Sequence, residues 1–340
     1  MITSHLGRIA AGQDLTQDEM TEVMDLVMAG SVPEKEIAVL LVALKAKGES
    51  AEEIAGAAVA MRRHMTPVRT RRQGLVDTCG TGGIGSELFN ISTAAAIVAA
   101  AAGVPVAKHG NRSVTSKSGS ADVLTVLGVN VEASVQTLEQ CLDQLGICFC
   151  FAPCMHPAMR HVAPVRKKLG VPTIFNLLGP LCNPASAPFQ LLGVGRPELH
   201  QTMAHVLALL GTEHAVVVHG TDGLGEVSLA APTEVIEVRG DSARRFTWQP
   251  EDFGLERADT ELLKVGGPAD SAAILRRVLH GELGPERDIV VLNAAAALWT
   301  AGIDPSPREC AKHAARAIDR GSAQELLTAW AELSQRSPAN

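Results

Sequence analysis

The sequence predicts an α/β protein in two parts: a small N-terminal all-helical domain and a large α/β domain whose mostly parallel central sheet is flanked by helices. Three observations carry this expectation. Residues 1–66 read as helical throughout. From Leu75 onward, short apolar runs alternate with helical periods, the pattern of a mainly parallel sheet. Between the first apolar run and an Ala-rich helix stands a glycine turn, Gly80-Thr-Gly-Gly83. A chain of 340 residues is long enough to give both parts a core.

In the N-terminal part, Thr16-x-x-Glu19, Ser31-x-x-Glu34 and Ser50-x-x-Glu53 each match the capping box of a helix start. Ile37, Leu40, Leu41 and Leu44 recur at helical spacing, and Gly48 follows where a helix-ending glycine belongs. Helices this short need tertiary packing to persist, so their apolar faces must meet the rest of the chain or a second copy of it. Residues 67–74 are polar, basic and Pro-containing and read as a hinge, followed by an α/β domain over 75–335. Strands are expected at 75–79, 104–107, 147–151, 214–218, 233–238 and 244–248. Helices are expected at 92–102, 120–127, 134–145, 197–211, 270–281, 285–301, 306–319 and 322–335. The Gly/Pro-punctuated region 160–188 reads as a crossing back toward the helical domain.

A net charge of −7 argues against a surface that coats nucleic acid or anionic membrane. The apolar run from Ala94 to Ala107 is broken by Gly103 and Pro105 and is too short to span a bilayer. Met1–Gly12 carries charge and no apolar signal region. Seven irregularly spaced cysteines point to a reducing compartment, hence a cytoplasmic protein. Cys148, Cys150, Cys154 and His156 have the residue types of metal ligands but not the paired C-x2-C spacing of structural zinc, and buried thiols are the better reading.

The most informative stretch is Lys108-His-Gly-Asn-Arg-Ser-Val-Thr-Ser-Lys-Ser-Gly-Ser-Ala-Asp122. Lys108, Arg112 and Lys117 supply cations, and Ser113, Thr115, Ser116, Ser118 and Ser120 supply hydroxyls, the donors a polyanion requires. A solvated Ser-rich loop is the alternative for such a segment taken alone. Upstream, the glycine turn at Gly80, Gly82 and Gly83 feeds a helix that Asn90 or Ser92 would cap, a second anion site. It matches neither G-x-G-x-x-G nor the P-loop pattern. Two such segments imply a ligand with two separated anionic ends. A third, basic segment contains His156 and Arg166, whose planar fork suits a carboxylate, although a solvated basic helix face explains the same residues. Asp222 and Glu226, in a loop after an apolar run, suit Mg²⁺, and a plain Asp-Gly turn suits them equally.

Taken together, the helical N-terminus, Gly80–Gly83, Asn90-Ile-Ser-Thr93, Lys108–Ser120, His156-Pro-Ala-Met, Arg166, Ile174–Pro184 and Asp222–Glu226 resemble the anthranilate phosphoribosyltransferase family over nearly the whole chain. The resemblance implies a homodimer formed through the helical domain, with substrates bound at the hinge. It places 5-phosphoribosyl 1-diphosphate along Gly80, Gly82, Gly83, Asn90, Ile91, Ser92, Thr93, Lys108, His109, Gly110, Asn111, Arg112, Ser113, Val114, Thr115, Ser116 and Ser120. Anthranilate would meet Gly80, His109, Asn111, His156 and Arg166, and Ser92 and Glu226 would hold Mg²⁺, with Asp222 a further possibility. Ile84 and Gly225 stand where the family usually has metal-binding acids, and Leu88 where it has Thr or Ser. A weaker metal dependence, or a single protein-anchored ion, is therefore expected. Two other readings are a related phosphoribosyltransferase or nucleoside phosphorylase with another nucleophile, and a non-catalytic nucleic-acid-binding paralogue.

Overall fold

The computed structural model describes residues 2–82, 87–113 and 117–336. Gly83, Ile84, Val114, Thr115 and Ser116 lie outside the described residues. The N-terminal helices are α1 (Thr3–Ala10), α2 (Gln17–Met28), α3 (Glu34–Lys47) and α4 (Ala51–Arg63). The capping boxes expected at Thr16 and Ser50 are both formed, each hydroxyl accepting the backbone N–H of the glutamate three residues on. The one expected at Ser31 is not. There Pro33 is the N-cap, its fixed φ suiting a helix start, and its hydrocarbon ring has no oxygen to offer a cap bond, while Ser31 lies outside the helix. Glu53 is fully buried, accepts the Leu15 N–H at 3.1 Å and pairs with Lys47 at 2.8 Å, tying the start of α4 to the end of α3.

The α/β part runs β1 (Val76–Gly80), α5 (Ile91–Ala101), β2 (Val106–Gly110), α6 (Ser120–Val126), α7 (Val135–Leu145), β3 (Ile147–Phe151) and α8 (Ala152–Met155). It continues α9 (Ala163–Leu169), α10 (Phe175–Leu178), β4 (Phe189–Gly193), α11 (His200–Leu209), β5 (His214–Gly220), β6 (Thr233–Arg239) and β7 (Ser242–Trp248). It closes with α12 (Pro268–Leu279), α13 (Pro285–Thr300), α14 (Pro307–Asp319) and α15 (Ser322–Ser334). The sheet order is β3-β2-β1-β4-β5-β6-β7. Pairing is parallel from β3 through β5 and antiparallel across β5–β6–β7, so the sheet is mixed but mostly parallel.

Strand β4 is not among the expected strands, yet it pairs with β1 and β5 in the middle of the sheet. Its apolar run is interrupted by Gln190, and Pro184 and Pro188 before it read as a continuing crossing loop. One face of the sheet is covered by α5 and α13, where Ala94–Ala96 and Ala294–Ala297 belong to one apolar cluster. On the other face, Cys79, Leu192 and Val217 share a buried cluster with Val165, Ile174 and Leu178 and with Leu40, Leu41 and Leu44 of α3. Strands β1, β2, β4 and β5 each end in glycine, at Gly80, Gly110, Gly193 and Gly220. The space a side chain would fill there is taken by neighbouring loops: a Cβ on Gly110 would fall 2.7 Å from Ser120 and one on Gly220 2.5 Å from Asp222, so the loops at the carboxyl edge pack closely on the strand ends. No helix among the described residues is long and apolar enough to cross a membrane.

Candidate active site

At the carboxyl edge of the sheet, consecutive residues of β2 point to opposite faces. Lys108 turns toward α5. The residue is only 2% exposed, and its ammonium donates to the Thr78 carbonyl and to Ser92 Oγ at 3.3 Å. Burial lowers its pKa from the usual lysine value, opposed by the carboxylates of Asp77 and Glu226. Burial likewise pushes Glu226 up to about 7, against the pull of Lys108 and a hydrogen bond from Ser92. Lys108, Ser92 and Glu226 thus form one cluster at the start of α5. Ile91 and Thr93 flank Ser92 in that first turn, and Thr93 Oγ1 is buried with no hydrogen-bond partner.

His109 turns to the other face. Its Nδ1 lies 2.9 Å from the Gly179 carbonyl, which can only accept, so Nδ1 carries the proton. His109 Nε2 is then an acceptor and receives the Nε2–H of His156 at 3.1 Å. His156 Nδ1 is left as a buried acceptor with no partner. Burial holds both rings neutral: His109 is lowered to about 3, helped by the neighbouring His156, and His156 to about 4.

This pair has a consequence for acid stability. An imidazole with a depressed folded-state pKa stabilises the fold above its ordinary value of 6.5, and that contribution is lost as pH falls toward about 4. Urea-unfolding midpoints are expected to drop over that window. His156→Leu should flatten the drop by on the order of 2 kcal/mol. Parallel pH profiles for the two proteins would show that His156 is not held neutral by the fold.

The segment after β2 is closed at its neck by Asp122. One carboxylate oxygen accepts the Ser113 N–H at 2.9 Å and the Gly119 N–H at 3.1 Å, and the other meets Arg112 at 3.3 Å. Arg112 also reaches Glu132 at 3.3 Å and lies over the Phe151 ring. Asn111 is exposed, its side chain accepting the N–H of Arg112 at 2.7 Å, while Gly110 ends β2 and Ser120 opens α6. Asn90 does not cap α5 with its side chain as expected. Instead its amide donates to the Ser118 carbonyl at 3.0 Å, and its oxygen accepts from Ser118 at 2.6 Å and from Ser271 of α12 at 2.8 Å. Ser271 also accepts the Asn90 backbone N–H at 3.0 Å. The fully buried Ser271 stands 181 residues from Asn90 in sequence, and no local pattern marks it. Asp122 carries a signal, an acid three residues after a glycine at a helix start.

Arg166 of α9 is partly buried, lies over the Phe175 ring and reaches Asn176 at 3.4 Å. Burial lowers its pKa from the usual guanidinium value, an environment that favours a bound anion. Asp222 accepts from Ser228 at 2.6 Å and from the Leu224 N–H at 3.2 Å, so it organises its own loop. Gly225 packs against the end of β4. A Cβ on Gly193 would fall 1.9 Å from the Gly225 carbonyl, and one on Gly225 only 3.0 Å from the Gly195 nitrogen. An acid at position 225 would require that loop to shift. Cys148 and Cys150 are buried free thiols and Cys154 is exposed. No group of three or more His, Cys, Asp or Glu that could hold a metal ion occurs among the described residues.

A cavity of about 420 Å³ opens over this edge, bounded by Gly80, Gly82, Asn90–Ser92, Ser118 and the 222–226 loop. Thr260 and Lys264, from much later in the chain, complete its wall.

The sequence matches two family models: the helical bundle domain of a glycosyl transferase family over residues 3–65, and its a/b domain over residues 72–324. An anthranilate phosphoribosyltransferase of Thermomicrobium roseum is 50% identical over 331 residues, covering 96% of this chain and 95% of that protein. One from Moorella thermoacetica is 47% identical, covering 98% and 99%. The crystal structure of anthranilate phosphoribosyltransferase from Thermus thermophilus superposes with a TM-score of 0.91 at 46% identity, covering 97% of this chain and 99% of that one. The Saccharomyces cerevisiae enzyme in complex with phosphoribosyl diphosphate and Mg superposes at 0.89 with 29% identity, covering 98% and 97%. On full-length likeness in both sequence and fold, this chain belongs to the anthranilate phosphoribosyltransferase family.

Proposed function

We infer that the two faces of the β2 edge receive the two substrates of anthranilate phosphoribosyl transfer, the activity of this family in tryptophan biosynthesis. The observation that carries the assignment is the alternation at Lys108 and His109. A buried cation with its hydroxyl and carboxylate neighbours lies on one side, and a neutral imidazole pair on the other. The diphosphate end of phosphoribosyl diphosphate belongs with Lys108, Ser92 and the N–H groups opening α5. Anthranilate belongs with His109, His156, Asn111 and Arg166, the guanidinium taking its carboxylate. Structures of the yeast relative with phosphoribosyl diphosphate and Mg, and with 4-fluoroanthranilate, support this reading.

In the reaction, the C1–O bond breaks with its electron pair leaving on diphosphate. The amine nitrogen bonds to C1 and gives up one proton. An aryl amine is already neutral and nucleophilic, so no activated Ser or Cys is required. The chain's contribution is to hold the amine in line with C1 and to place fixed positive charge where the leaving group gains negative charge. The neutral His109–His156 pair leaves the unpartnered His156 Nδ1 as an acceptor for the amine N–H.

The residues present fit Mg²⁺. The cavity wall carries Glu87, Asp222 and Glu226, an acidic lining that a polyanion would meet only together with cations. Ser92 and Glu226 would hold the ion, with Asp222 a further ligand, and substrate oxygens and water would complete its shell. When bound, the ion neutralises diphosphate charge. Consumption of anthranilate fluorescence by the full-length protein with phosphoribosyl diphosphate, with and without Mg²⁺, tests the assignment. Mg²⁺-dependent turnover is expected. A folded protein that binds phosphoribosyl diphosphate but turns over only with another amine would redirect the nucleophile assignment.

Val39 and Val42 lie one turn apart on the outer face of α3, 52% and 49% exposed, an apolar pair that a second copy of the chain would cover. Sedimentation at the mass of two chains is expected, and Val42→Asp should shift it toward one. A monomeric profile for the unmodified chain would remove this face from consideration.

A further inference from the structure

We propose that Lys264 is a catalytic residue that contacts the leaving diphosphate at the mouth of the cavity. The proposal rests on the reading that this cavity takes the diphosphate end of the substrate. Among the described residues lining the cavity, Glu87, Asp222 and Glu226 are acidic and Lys264 is the cation. Lys108 is buried and is not among the lining residues, its ammonium bonded to the Thr78 carbonyl and Ser92. Lys264 therefore brings positive charge to the cavity wall beside the segment that leads into α5, while the neighbouring cation Lys117 is turned to Glu87 at 3.8 Å.

Its position is built into the fold. Leu88 and Lys264 form an antiparallel bridge. On either side of it, the Phe89 N–H donates to the Leu263 carbonyl at 3.0 Å and the Val265 N–H to the Glu87 carbonyl at 2.8 Å. The strap carrying Lys264 is thus bonded to the segment that leads into α5, and the Ser271–Asn90 bonds fasten it again one turn into α12. The Lys264 ammonium pairs with Glu261 at 2.7 Å, with side chains 44% and 66% exposed. An exposed pair three residues apart contributes little, so an arriving polyanion displaces Glu261 at small cost. Because negative charge on the diphosphate grows as C1–O breaks, the contact strengthens toward the transition state.

The test compares Lys264→Met, Lys264→Arg and Glu261→Gln in the full chain, by steady-state kinetics and by calorimetric titration with phosphoribosyl diphosphate in Mg²⁺. Lys264→Met is expected to lower kcat/KM for phosphoribosyl diphosphate about tenfold, the loss of one charge-assisted bond. Its KM for anthranilate and its melting temperature should stay at the unmodified values, and the salt dependence of kcat/KM should become shallower. Lys264→Arg should recover activity to within about threefold, because the charge is kept. Glu261→Gln should shift kcat/KM upward by releasing the ammonium. Lys264→Met with kinetics and titration unchanged, in a chain that binds phosphoribosyl diphosphate normally, overturns this proposal and leaves the active-site assignment standing. An unmodified chain that does not bind phosphoribosyl diphosphate overturns both.

Discussion

Lys108→Ala is expected to lower kcat/KM by roughly 10²–10³-fold, the range for removing one preorganised charge-stabilising donor. The ammonium is buried against Ser92 and the Thr78 carbonyl, so its position needs no reorganisation when charge develops on the leaving group. A unit charge about 4 Å away at an effective dielectric near 20 gives roughly 4 kcal/mol, before desolvation losses reduce it. Stability should change far less than activity. Burial already works against the Lys108 charge, so its removal relieves a desolvation cost even as it leaves Glu226 without a cation. The check is steady-state kinetics alongside thermal unfolding. Near-full turnover by a folded Lys108→Ala protein would reject the role, and loss of activity with loss of fold would make the residue structural.

Gly119→Ala is the second large effect, and it arises without any charge change. Gly119 has an extended backbone, so no unusual dihedral angle demands glycine there. Space does. A Cβ would lie 2.2 Å from the Ser113 nitrogen, 2.5 Å from the Arg112 carbonyl carbon and 2.8 Å from the Asp122 carboxylate. The neck would have to part, breaking the bonds by which Asp122 holds Ser113 and Gly119 together. A displacement near 1 Å in a substrate-positioning segment costs on the order of 10²-fold in rate. The expected outcome is that loss, borne mainly by KM for phosphoribosyl diphosphate, with the melting temperature lowered by only a few degrees. Unaltered kinetics would mean that the segment beyond this neck does not position the substrate.

Much of the fold is legible in the sequence because its signals are local. Thr16 and Ser50 announce helix starts through bonds that span only three residues, and both lie where the pattern puts them. The failures have equally physical causes. At Ser31 the same pattern is present, but Pro33 supplies the dihedral angle and no cap forms. Strand β4 is missed because Pro184 and Pro188 just before it read as a continuing crossing loop and Gln190 interrupts its short apolar run. Asn90 has the residue type of a cap, but the structure gives its side chain to Ser118 and Ser271, one of them at the far end of the chain.

The same division holds at the site. The residue types of Gly80–Gly83 and Lys108–Asp122 pointed by themselves to a polyanionic ligand, because dense donors and fixed cations favour that chemistry in any fold. Residue types alone could not decide ionisation or pairing. His156 was as consistent with a solvated basic face as with a site until the fold buried it against His109. Lys264 had no signal until its bridge to Leu88 placed it in the cavity wall. Proton affinity and charge pairing depend on desolvation and on neighbours within a few ångströms, and those neighbours come from segments that only the folded chain brings together.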